Sequence, residues 1–67
     1  MTIQLNGKTV TLPQEVATVQ DLLSHYQIEN RIVIVELNKE IPGKEQYETL
    51  LLNEGDRVEM IHFVGGG

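Results

Sequence analysis

The sequence predicts an α+β domain, with one helix packed on one face of a mixed sheet of about five strands. Three observations predict it. Two alternating stretches flank an Asn-Gly pair near the N-terminus. One helical stripe follows Thr18. Beyond it come strand-like runs at Arg31–Leu37 and Arg57–Val64 with no second helical period between them.

Thr2-Ile3-Gln4-Leu5 alternates polar and apolar residues, as a half-buried strand does. Asn6-Gly7 then supplies two residues that accept positive φ, and Lys8-Thr9-Val10-Thr11-Leu12 alternates again. The result is a hairpin with Ile3, Leu5, Val10 and Leu12 on its buried face. Pro13 ends it. Thr18 has the character of a helix N-cap, with Asp21 three residues on as a variant capping box. Val19, Leu22, Leu23 and Tyr26 share one helical face, so a short helix over Val19–Tyr26 is expected to lie on the sheet. The β-branched run Arg31–Leu37 has the character of a central strand. Asn38-Lys39-Glu40 and Pro42-Gly43 are turns, Tyr47–Leu52 a short edge strand, and Asn53-Glu54-Gly55-Asp56 another turn. Arg57–Val64 forms the last strand. The order is β-β-α-β-β-β, with a helical crossover from the second strand to the third. The expected organisation is one domain over residues 1–64 and a flexible glycine tail over 65–67.

The chain has 67 residues, and a domain of this size buries only about 60% of the surface its unfolded chain exposes. It has little material for the walls of a catalytic cleft, so a carrier or binding module is expected rather than an enzyme. Ten acidic side chains against five basic ones give a formal charge of -5. Phosphate backbones are bound by clustered positive charge, so nucleic acid is not an expected partner. A basic protein surface suits this charge better. The absence of cysteine excludes a disulfide, a thiolate metal site and thiol catalysis. It also suits a reducing cytoplasm. No secretory signal and no apolar run of about 20 residues is visible, so no membrane partner is expected.

Candidate chemistry concentrates at Gly65-Gly66-Gly67, directly after an apolar strand. By itself a terminal glycine triplet is also what any flexible end looks like. His25 and His62 lack acidic or cysteine neighbours at matched spacing and suit surface positions, so neither a catalytic side chain nor a metal site is assigned. Glu45 and Glu48 suit a solvated turn. The final strand is apolar on both faces. If Val58 and Met60 face the helix, period two turns Glu59, Ile61 and Phe63 away from it. Ile34 joins them if Val33 and Val35 point inward. One helix cannot cover both faces, so Ile34, Ile61 and Phe63 form an expected partner-docking patch. A register one residue off would instead make them core.

The order of elements is that of the ubiquitin-like β-grasp fold, and Gly7-Lys8-Thr9-Val10-Thr11-Leu12 resembles the first hairpin of ubiquitin. From Ile3 to Gly67 the chain more closely resembles the bacterial thiamine sulfur carrier family, ThiS. Three stretches carry the resemblance: Thr18-Val19-Gln20-Asp21-Leu22-Leu23; Val35 to Ile41 with Lys44 and Tyr47 beyond; and Gly55-Asp56-Arg57-Val58-Glu59 running to His62-Phe63-Val64-Gly65-Gly66-Gly67. One departure is Pro42-Gly43-Lys44, where many members have a Val-Pro-Arg-like run. The resemblance implies a carrier that is not itself an enzyme and binds no cofactor. A ubiquitin-activating-like adenylyltransferase, using ATP, would adenylate the carboxylate of Gly67. A sulfur donor such as a cysteine desulfurase would convert it to a thiocarboxylate, and thiazole synthase would receive the sulfur. Gly65 and Gly66 would thread into the partner's active site. The small sulfur-carrying subunit of molybdopterin synthase and a ubiquitin-like protein modifier share this fold and tail and remain alternatives.

The implied chemistry suits the residues. A terminal carboxyl has a pKa near ~3.5 and is ionised at neutral pH, so it can attack the α-phosphorus of ATP without a general base. Glycines lack the Cβ that would obstruct a narrow channel or shield the carbonyl carbon. A chain without cysteine keeps the sulfur on the backbone terminus.

Overall fold

The computed structural model describes residues 1–28 and 33–62. Strands β1 (Thr2–Leu5) and β2 (Lys8–Thr11) form the expected hairpin, with Ile3 opposite Val10 and Leu5 opposite Lys8. Asn6 and Gly7 both take positive φ, 51° and 83°. This turn follows the right-handed twist of the strands, and glycine enters the left-handed region without steric cost. Helix α1 (Val19–His25), strand β3 (Val33–Leu37), a 3₁₀ turn (Lys44–Gln46) and strand β4 (Arg57–His62) complete the described chain.

The sheet has four strands in the order β2-β1-β4-β3. β4 runs parallel to β1 and antiparallel to β3. The α+β class and the single helix are as expected, and two details differ. β3 is an edge strand rather than a central one, because β4 enters the sheet between it and β1. Tyr47–Leu52 is not a strand. The amides of Thr49 and Leu50 bond locally, to the carbonyl of Gln46, and only one antiparallel bridge forms, Leu51 opposite Thr18, in which the Leu52 amide donates to the Ala17 carbonyl at 2.8 Å. Local bonding curls this segment against the start of the helix, where the carbonyls of Leu50 and Tyr47 accept from the amides of Val19 and Gln20 at 3.0 Å.

Those bonds matter because a seven-residue helix does not persist alone. The Thr18 hydroxyl accepts from the Asp21 amide at 3.1 Å. The Asp21 carboxylate accepts from the amides of Ala17 and Thr18 at 3.0 and 3.1 Å. The capping box is therefore complete, and the first-turn amides have partners. At the other end the helix stops at Tyr26. Gln27 turns left-handed with φ 60°, its amide bonds the Ser24 carbonyl, and the Ile28 amide reaches back to Leu23. This is a Schellman motif, with Gln27 where glycine is favoured. The helix ends one residue earlier than expected, and Tyr26 stays 40% exposed rather than joining the apolar stripe.

The core lies between α1 and one sheet face. Val19 and Leu22 from the helix meet Ile3, Val35 and Val58 from the sheet, all nearly inaccessible, and Tyr47 and Leu52 close one side. No described polar or charged side chain is buried. Leu5 and Val10 are partly buried against this core, while Ile3 and Leu12 are fully within it.

Two predictions follow from the helix ends. Gln27→Gly relieves the left-handed strain at a smaller entropic cost, a net gain of about 0.5–1 kcal/mol. The melting temperature should rise by roughly 2–8 °C, whereas a fall would mean that Gln27 is not left-handed. At the other end, hydrogen bonds from the Ala17 and Thr18 amides hold the Asp21 carboxyl below its ordinary range. A depressed folded-state pKa gives stability that is complete above the unfolded pKa, about 3.9, and lost as pH falls through the lower folded value. Asp21→Asn should melt earlier than the parent at pH 7. Melting curves recorded down the pH scale should then converge below about pH 4.

Candidate functional site

β4 has partners on both sides, and its position is fixed by two asparagine side chains. Asn6 Oδ1 accepts from the Met60 amide at 2.8 Å, and the Asn6 amide donates to the Val58 carbonyl at 2.9 Å. The hairpin turn thus extends the β1–β4 pairing by two residues. At the start of β4, Asn38 Oδ1 accepts from the Arg57 amide at 3.0 Å, and its Nδ2 donates to Asp56 Oδ1 at 3.1 Å. The other carboxylate oxygen of Asp56 accepts from the Asn53 amide at 2.8 Å and closes the turn that launches the strand. In sequence Asn6 and Asn38 have only the character of turn residues. Their place directly after strands, where an amide side chain can bond across a ladder, was the available signal.

The register of β4 against β3 places Val33 opposite His62, Ile34 opposite Ile61, Val35 opposite Met60, Glu36 opposite Glu59 and Leu37 opposite Val58. Val33, Val35 and Val58 are buried, and Met60 packs against the same core. Ile34 and Ile61 lie on the opposite face, 38% and 49% exposed. They form a directly opposed aliphatic pair on the uncovered side of the sheet. The next rung on that face is Glu36 and Glu59. Phe63 and Gly65, Gly66 and Gly67 lie outside the described residues, five positions or fewer beyond His62.

Other candidates are not brought together. His25 is exposed at the end of α1 and meets Tyr26 edge to face at 4.9 Å. Glu45 and Glu48 are exposed around the 3₁₀ turn. Among the described residues no group of three or more His, Cys, Asp or Glu side chains is placed to hold a metal. No described helix is long and apolar enough to cross a membrane. A cleft of about 220 Å³ lies beside the end of β3, lined by Leu37, Glu40, Ile41, Pro42, Gln46 and Leu50. Its lining offers one carboxylate and no nucleophile.

Residues 3–67 match the model of the ThiS family. The sulfur carrier protein ThiS of Bacillus subtilis is 57% identical over 65 residues, covering 97% of this chain and 98% of that protein. A crystal structure of the thiamine biosynthesis protein ThiS from Geobacter metallireducens superposes with a TM-score of 0.82 at 35% identity, over the whole of both chains. A protein named thiazole synthase from Paramagnetospirillum magneticum is 36% identical over 67 residues, and this chain spans 20% of its length. With the family match running over nearly its whole length, and with this fold, the chain belongs to the ThiS family.

Proposed function

We propose that this chain is a sulfur carrier of thiamine biosynthesis that holds its sulfur as a thiocarboxylate on Gly67. It is a co-substrate of other enzymes rather than a catalyst. The observation that carries the reading is the near full-length similarity to a sulfur carrier, within a family match that continues to Gly67 itself. The carboxylate oxygen of Gly67 attacks the α-phosphorus of ATP on an activating adenylyltransferase, and pyrophosphate leaves. The sulfur of a donor, such as a persulfide on a cysteine desulfurase, then attacks the carbonyl carbon and AMP leaves. With a persulfide donor, a thiol cleaves the resulting acyl disulfide to free the thiocarboxylate. Gly65 and Gly66 give the terminus the slim cross-section that entry into these active sites demands.

Thiazole synthase is the proposed recipient. A stretch similar to this whole chain occurs within proteins of that name, 36% and 34% identical. One polypeptide there holds both sequences, which supports a working contact between carrier and synthase. A reducing cytoplasm is the proposed compartment, and a chain without cysteine supports it.

The face bearing Ile34 and Ile61 is the proposed docking patch for the activating enzyme, and Phe63, outside the described residues, is assigned to it from the alternation of the sequence alone. An apolar pair exposed on a folded sheet loses water on contact with a complementary surface. Ile61 lies on β4, which precedes the tail in sequence, and Ile34 lies opposite it on β3.

Incubation with the cognate adenylyltransferase, ATP and a sulfur donor should raise the intact mass by the difference between one sulfur and one oxygen. Fragmentation should place the change on Gly67. A change on an internal residue would sink the carrier reading. Deleting Gly67 should abolish the mass change and leave the melting curve unaltered. Ile61→Asp should shift stability by no more than about 0.5 kcal/mol, since the side chain is on the surface, while adenylation slows. Val58→Asp should instead unfold the domain, because it buries a charge without a partner. Circular dichroism and adenylation rates on the two variants separate docking from folding.

A further inference from the structure

The exposed sheet face carries a feature that the apolar patch does not explain. Glu36 and Glu59 are cross-strand partners in the β3–β4 ladder, on the same face as Ile34 and Ile61 and one rung away from them. The Asn38 amide bonds the Arg57 carbonyl, so alternate rungs at Glu36–Glu59 and Ile34–Ile61 are the hydrogen-bonded ones. Residues opposed in this way stand about 5.5 Å apart at Cα. Like charges directly opposite one another destabilise a sheet. Arg57 shares the face, but it stands across from Asn38, one rung beyond the two carboxylates. No hydrogen bond or ion pair among the described residues engages either carboxylate. A small domain with little stability to spare thus holds two negative charges together beside its exposed aliphatic pair.

We infer that Glu36 and Glu59 together receive one arginine side chain from the docking surface of the activating enzyme, seated beside an apolar group that covers Ile34 and Ile61. The inference rests on the carrier reading above and adds the chemistry of the partner. Charge complementarity selects the occupant. Two adjacent carboxylates on a chain of net charge -5 attract a cation, and contact with the partner excludes the water that screens them. A guanidinium fits better than an ammonium. Its planar fork has five donors, enough to bond two carboxylates at once, and its weakly hydrated faces tolerate the aliphatic neighbours. The aliphatic rung provides contact area and the acidic rung provides register. A partner with an acidic or merely apolar surface would leave two carboxylates desolvated and unpaired, so the pair also discriminates against wrong partners.

The arrangement predicts opposite signs for stability and binding. Replacing both carboxylates, as E36Q/E59Q, removes the repulsion and should raise the melting temperature by a few degrees. The same variant should bind the activating enzyme at least about tenfold more weakly, as expected when a buried arginine loses its charged partners. Its affinity should also depend less steeply on salt. A charge-matched control, E15Q/E48Q, alters two exposed carboxylates elsewhere and should leave affinity within about twofold of the parent. Surface plasmon resonance over a salt series, with melting curves for all three proteins, gives every readout. Unchanged affinity in E36Q/E59Q overturns the inference, as does an equal loss in the control, which would make net charge the cause. Mass analysis of the parent after the sulfur-transfer reaction tests the carrier reading separately. A parent that becomes thiocarboxylated while E36Q/E59Q binds normally keeps the function and discards the arginine contact.

Discussion

Helix α1 has seven residues and must cover one side of a four-stranded sheet, and the bonds at its ends make that possible. The capping box at Thr18 and Asp21 satisfies its first turn from within. The carbonyls of Leu50 and Tyr47 satisfy the amides of Val19 and Gln20 from across the chain. The helix then delivers Val19, Leu22 and Leu23 to Ile3, Val35 and Val58. The segment Tyr47–Leu52 is turn-like for the same reason. The carbonyls of Tyr47 and Leu50 are committed to the helix start, and the amides of Thr49 and Leu50 turn back to Gln46, so the pairing stops at one bridge. What the helix cannot do is cover the second face. The apolar and acidic rungs of β3 and β4 lie on that uncovered face.

Much of this was legible in local sequence. Asn6-Gly7 identified the hairpin because positive φ at two successive positions is a local demand. Thr18 and Asp21 identified the helix start because both partners of the capping box lie within four residues. The alternation Val33-Ile34-Val35 and Val58-Glu59-Met60-Ile61 gave the correct facing of the described strand residues. Less legible were features set by distant contacts. The β-branched run at β3 suggested a central strand, yet β4 took that place through a parallel pairing with β1, more than fifty positions away in sequence. Gln27 in a left-handed turn carried no compositional mark, since its conformation is imposed by the helix end. The side chains of Asn6 and Asn38 gained their roles only once β4 lay beside them.

The site divides in the same way. The apolar face is legible as an excess of apolar residues over what one helix can bury, while the glycine triplet lies outside the described residues. The opposed carboxylates at Glu36 and Glu59 were implicit in the same alternation. They emerge only when the register of two strands is known, because neither residue is unusual in its own strand.

The central place of β4 has a mechanical consequence. A terminus drawn into an enzyme's channel exerts tension on the strand that leads to it. β4 is bonded to β1 in parallel on one side and to β3 in antiparallel fashion on the other. Tension along such a strand loads its hydrogen bonds in shear, and they resist together rather than opening one at a time. An edge strand, bonded on one side alone, peels away from the sheet under the same tug. For the proposed transfer of sulfur from the tail, an anchor in the middle of the sheet is the better mount.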